Sequence, residues 1–125
     1  MSIGIFDSGI GGLTVLKEAV KLLPNEDFLY YADTKHVPYG TKPKDEVRRY
    51  IFDAADFFAG KGVKALVVAC NTATSIAIND LRKRYSFPII GMEPAVKPAL
   101  EKVDHRRILV LATPITVSEK KLHDL

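Results

Sequence analysis

Short apolar runs alternate with amphipathic stretches along this chain, and that alternation predicts a repeating βα pattern. Residues 3–6 form an apolar run that reads as a buried strand, followed by Gly9, Gly11 and Gly12 as a turn. Leu13, Leu16, Val20 and Leu23 then recur at helical spacing, and Pro24 ends that helix. Residues 28–31 predict a second strand, and a loop with Pro38, Gly40 and Pro43 follows. Val47, Ile51, Ala54 and Phe58 fall on one face of a second helix, for which Gly60 is the expected stop. Residues 66–69 predict a strand ending at Cys70, residues 74–84 a helix with a charged side, and residues 87–90 another strand. Residues 96–103 predict a short helix with Pro98 in its first turn, 108–112 a last core strand, and 117–125 the start of a further helix. Strand and helix in this order give an α/β class, a parallel sheet flanked by helices on both faces.

There is a faint internal echo. Residues 3–11 (IGIFDSGIG) and 108–116 (ILVLATPIT) both run from an apolar strand into a small hydroxyl residue and a turn, with Ser8 matching Thr113. A βα repeat produces echoes of this kind without any duplication.

Composition narrows the classes. At 125 residues the chain has room for about one small domain. A balance of 47% hydrophobic and 26% charged residues is that of a globular chain rather than a disordered one. The net charge is +3, but the basic residues are scattered and no basic tract is interleaved with aromatics, so nucleic-acid binding is not indicated. No apolar run reaches the roughly 18 residues of a membrane span, and the first residues lack the pattern of a signal peptide. A single cysteine cannot form an internal disulfide, which fits a reducing, cytoplasmic location.

In open parallel sheets, ligands bind beyond the carboxyl ends of the strands, and three candidate segments fall there. In Asp7-Ser8-Gly9-Ile10-Gly11-Gly12 the glycines allow close backbone approach, and the following helix start offers free N–H groups to an anion. Asp7 suits hydrogen bonding to an ammonium or a part in proton transfer; the plainer reading is a helix cap. The segment matches neither the dinucleotide fingerprint nor a phosphate-binding P-loop. Cys70 follows an apolar strand, where a lone cysteine is more often inert core; yet a helix start at this point would lower its thiol pKa. Asn71 and Thr72 beside it suit carboxylate binding or capping alone. In His36-Val37-Pro38-Tyr39-Gly40 the proline and glycine fit plain turn chemistry, and His36 reads as a solvated loop residue. No Cys and His spacing suggests a zinc site. A small-anion or nucleotide-binding module with a structural cysteine is the competing reading.

Taken in order, residues 4–13 (GIFDSGIGGL), 31–33 (YAD) with 38–40 (PYG), 69–73 (ACNTA) and 112–117 (ATPITV) resemble the glutamate racemase family along the whole chain. Aspartate racemases are similar around the cysteine but do not share the D-S-G-x-G-G-L start. The resemblance implies cofactor-independent interconversion of L- and D-glutamate, the latter a building block of bacterial peptidoglycan. It implies two similar α/β domains with the substrate between them, one cysteine from each. By carry-over, Cys70 is one of the two bases, with Asp7 beside it in the catalytic set. Asp7, Ser8, Pro38, Tyr39, Gly40, Asn71 and Thr72 match substrate-contacting positions, and Thr113 and Thr116 a nearby hydroxyl pair. Residues 1–93 would form the first domain, and 94–125 the hinge and beginning of a truncated second one. The family's other cysteine, followed by Thr and His, has no counterpart here, so this chain alone is expected to be inactive. The partners expected are glutamate and, as one arrangement, a second copy in a homodimer; no metal, nucleic acid or membrane is expected.

Overall fold

The computed structural model describes residues 1–102 and 107–124. Its elements are β1 (Ile3–Asp7), α1 (Leu13–Leu22), β2 (Phe28–Ala32), α2 (Lys44–Gly60), β3 (Ala65–Val68), α3 (Asn71–Arg84), β4 (Ile89–Gly91), α4 (Val96–Lys102), α5 (Pro114–Ser118) and α6 (Lys120–His123). The four strands form one parallel sheet in the order β2-β1-β3-β4. Ile3 lies opposite Phe28 on one side and Ala65 on the other, and Leu66 lies opposite Ile89.

This strand order decides where the helices go. The β1-to-β2 crossover runs toward one edge of the sheet, while β2-to-β3 and β3-to-β4 run toward the other. Right-handed crossovers therefore place α1 on one face and α2 with α3 on the opposite face. The second face is the well-packed one. Val47, Ile51 and Phe58 of α2 and Ala73, Ala77 and Leu81 of α3 close over Phe6, Leu66 and Val68. Phe58 is fully buried, so truncating it to alanine would cost about 3–5 kcal/mol. The α1 face is thinner. Ile5 is fully buried there, but no residue of α1 itself is, and Leu13, Val20, Leu22 and Leu23 stay exposed.

Helix α2 ends at Gly60, as expected, and Gly62 two positions later takes the left-handed φ of 65° that turns the chain away. Three expectations need correction. Helix α3 begins three residues before Thr74, because Cys70 caps it. Residues 108–112 form no strand: among the described residues they pair with no neighbour, and Leu109 and Leu111 stay exposed. An apolar run is only a strand once another strand takes up its backbone groups. The expected helix over 117–125 is two short ones, broken at Glu119, whose ψ of 137° is extended. The first begins early because Thr113 caps it and Pro114 occupies its first turn. Val103 and Leu125, the ends of two expected helices, lie outside the described residues.

Candidate functional site

All four strands point the same way, so their carboxyl ends share one edge. Short backbone bonds carry the ladder past the strand ends: Ala69 N–H donates to Phe6 O at 2.8 Å, Asp33 N–H to Asp7 O at 3.0 Å, and Met92 N–H to Val68 O at 3.1 Å. The crossovers diverge between β1 and β3, and a crevice opens where they part. It is a cleft of about 570 Å³, walled by Asp7, Ser8, Cys70, Asn71, Thr72 and Thr113 among others.

Asp7 ends β1 and is nearly buried. Its Oδ2 accepts the N–H of Gly9 at 3.0 Å and of Gly12 at 3.2 Å, so the carboxylate ties the glycine turn to the start of α1. Capping is therefore part of its role, while Oδ1 takes part in neither bond. Gly12 leaves no room for a side chain: a Cβ would stand 2.7 Å from Asp7 Cβ and 2.9 Å from the Tyr30 hydroxyl.

Cys70 is the N-cap of α3, with Sγ accepting the N–H of Ala73 at 3.4 Å and lying 3.7 Å from Ser8 Oγ. The thiol donates to that hydroxyl; a thiolate would accept from it. The expected fall in thiol pKa does not occur. Burial raises it, and the Ala73 amide and Ser8 only partly offset this; the negative charge of Asp7 raises it further. The resting group is thus a thiol held among donors that favour its anion.

Asn71 is exposed on the cleft wall. Thr72 is buried and engaged: its Oγ1 lies 2.8 Å from that of Thr113 and 3.3 Å from that of Thr116, and these two are 3.0 Å apart. This closed triangle of hydroxyls fastens α5 to the start of α3.

Pro38, Tyr39 and Gly40 stand apart from the cleft lining. The Tyr39 ring is in the core, and its hydroxyl donates to buried Asp33 at 2.6 Å. Gly40 reaches the site indirectly, packed against Thr113. His36 is not a free loop histidine: Nδ1 sits 2.8 Å from Asp33 Oδ1, and the ring stacks on Tyr50 at 3.8 Å. Asp33, part of the YAD motif but given no site role by the sequence, is the anchor of this loop, and Tyr30, which the sequence did not single out, donates its hydroxyl to Gly9 O at 2.8 Å. A polar residue just past a strand end was the available signal for Asp33.

A separate groove of about 650 Å³ beside α3, with Asp80, Glu93 and Glu119, contains none of the residues singled out from the sequence. Among the described residues no group of three or more His, Cys, Asp or Glu could hold a metal, and no helix is long and apolar enough to cross a membrane.

The chain has known counterparts. The chain is 66% identical over 125 residues to the glutamate racemase of Halothermothrix orenii, matching all of this chain and 49% of that protein. The solved structure of glutamate racemase from Aquifex pyrophilus superposes with a TM-score of 0.90 at 46% identity, over 99% of this chain and 50% of that one. Francisella tularensis glutamate racemase in complex with D-glutamate superposes with a TM-score of 0.82 at 35% identity, over 98% of this chain and 46% of that one. The chain spans about half the length of the curated relatives it matches. The model of the Asp/Glu/hydantoin racemase family matches residues 11–125, and the chain belongs to that family.

Proposed function

We propose that this chain is the amino-terminal half of a cofactor-independent glutamate racemase, and that Cys70 exchanges a proton with the substrate α-carbon on one face. The observation that carries the proposal is the seat of Cys70: a lone thiol capping a helix, in a cleft at the sheet's switch point, with Asp7, Ser8 and Thr72 around it. Residues 1–93 are assigned to the first domain and 94–125 to the hinge and the opening of a second.

The α-hydrogen of glutamate is weakly acidic, so both the base and the developing charge need support. Ala73 N–H and Ser8 supply donors to a Cys70 thiolate. Asp7 stands near enough to raise the thiol pKa, which keeps the resting thiol protonated and makes its thiolate the stronger base. Asn71, Thr72 and the start of α3 offer donors to a carboxylate, with Thr113 and Thr116 behind them. One thiol removes and returns a proton on the same face only; inversion needs a second acid on the other face. D-Glutamate made this way would serve peptidoglycan synthesis in the cytoplasm. A homodimer is one arrangement in which two copies could meet.

The test is chiral chromatography of L-glutamate incubated with this chain alone, and with the chain joined to the remaining half of the Halothermothrix orenii relative. D-Glutamate is expected only from the joined protein. Its absence from a folded joined protein would count against the assignment, and robust turnover by the chain alone would overturn the two-face argument.

A further inference from the structure

We propose that Tyr30 is a positioning residue for Cys70: by holding the Gly9 carbonyl, its hydroxyl sets Ser8 against the Cys70 sulfur. This deepens the reading of Cys70 as the reacting thiol and rests on it.

Tyr30 lies on the edge strand β2, paired in register with Ile5, and so faces the α1 side of the sheet. Its hydroxyl donates to Gly9 O at 2.8 Å, across 21 positions of sequence. The other end of Gly9 is held as well, since its N–H donates to Asp7 Oδ2 at 3.0 Å. One residue is thus gripped at both its polar groups, by β1 and by β2. Ser8 stands between Asp7 and Gly9 and has little freedom left; its Oγ lies 3.7 Å from Cys70 Sγ. The Tyr30 hydroxyl is itself confined, because it fills the space a side chain on Gly12 would need. Burial, with the negative charge of Asp7 and that of Cys70 when it is ionised, raises the phenol above its ordinary value, so it remains a donor through the neutral range.

The Ser8 hydroxyl, 3.7 Å from Sγ, and the Ser8 backbone beside it both favour the Cys70 thiolate. Releasing the Gly9 carbonyl should let Ser8 drift and weaken both. A merely structural tyrosine would change the melting temperature and leave the thiol's titration where it was.

The test is the pH dependence of Cys70 alkylation by iodoacetamide in Tyr30→Phe, Ser8→Ala and the double variant, with melting temperatures measured alongside. Tyr30→Phe keeps the ring and removes only the hydroxyl. Its alkylation at about pH 8 should slow about three- to ten-fold, the size of one hydrogen bond. The titration curve should move to higher pH. Ser8→Ala should move it the same way, and the double variant no further than the larger single effect. An unmoved curve in Tyr30→Phe overturns the proposal, as does a double variant whose shift is the sum of the two. Ser8→Ala stands independently of how Tyr30→Phe folds, and an unmoved curve there removes the route through Ser8. Alkylation needs no turnover, so failure here is distinct from failure of the racemase assignment.

Discussion

Gly40 and Thr113 meet so closely that a single added carbon would collide: a Cβ on Gly40 would lie 2.6 Å from both Cβ and Cγ2 of Thr113. This contact links the loop after β2, anchored by Asp33, to the hydroxyl triangle on the cleft wall. Gly40→Ala should therefore push the loop or α5 away, at a cost of about 1–3 kcal/mol for overpacking. Urea denaturation reads the stability loss. In the joined protein the KM for glutamate should rise as well, while Gly9→Ala, where a Cβ meets nothing within 4 Å, should be much milder in stability.

Thr72→Val separates fastening from binding. It removes one corner of the triangle but leaves Thr113 and Thr116 paired at 3.0 Å. The stability loss should be about 1–3 kcal/mol, that of the two hydrogen bonds its hydroxyl makes. If Thr72 also meets a substrate carboxylate, glutamate affinity should fall at least ten-fold in the joined protein. Unchanged affinity with a large fall in melting temperature would leave Thr72 a fastener only.

Asp7→Asn keeps an oxygen able to accept from Gly9 and Gly12 but removes the charge at the start of α1. The stability cost should be about 0.3–1 kcal/mol. A part in proton transfer predicts a far larger effect on turnover, about a hundred-fold or more. Equal, small effects on both would reduce Asp7 to a cap.

The sheet, its three main helices and the cleft at its carboxyl edge were legible in the sequence, because buried parallel strands are short apolar runs punctuated by glycine. Residues 108–112 show where that reasoning fails. Their pattern specifies a strand, yet strand formation depends on a pairing partner that no run of residues announces. The site was legible as a set of segments at strand ends, but not in its wiring. Tyr39 turns toward Asp33 only six positions away, but in doing so it brings Gly40 against Thr113, a contact across dozens of residues that no local pattern announces. The helix start that would lower the Cys70 thiol pKa is visible in the sequence, while the depth of burial that raises it is not.

Stability should fall on the alkaline side. Burial holds the Cys70 thiol and the Tyr39 phenol above their ordinary values, and for Tyr39 the bond to Asp33 adds to it. The folded state then keeps protons the unfolded chain gives up, so their contribution is whole below the unfolded values of about 8.5 and 10 and declines as pH rises beyond them. Urea melts from about pH 7 to 11 should show that decline. Cys70→Ala should flatten its onset and Tyr39→Phe its upper part. An unchanged slope in both would contradict this account.

The central claim is that Cys70 handles the α-proton on one face of glutamate. Its most direct test is proton NMR of the α-position in D2O, with each enantiomer supplied separately to the joined protein and to its Cys70→Ala variant. The parent should exchange the α-proton of both enantiomers and interconvert them. The variant should interconvert neither and retain exchange for at most one. Racemisation by a folded Cys70→Ala protein at a rate near the parent's would contradict the assignment of Cys70.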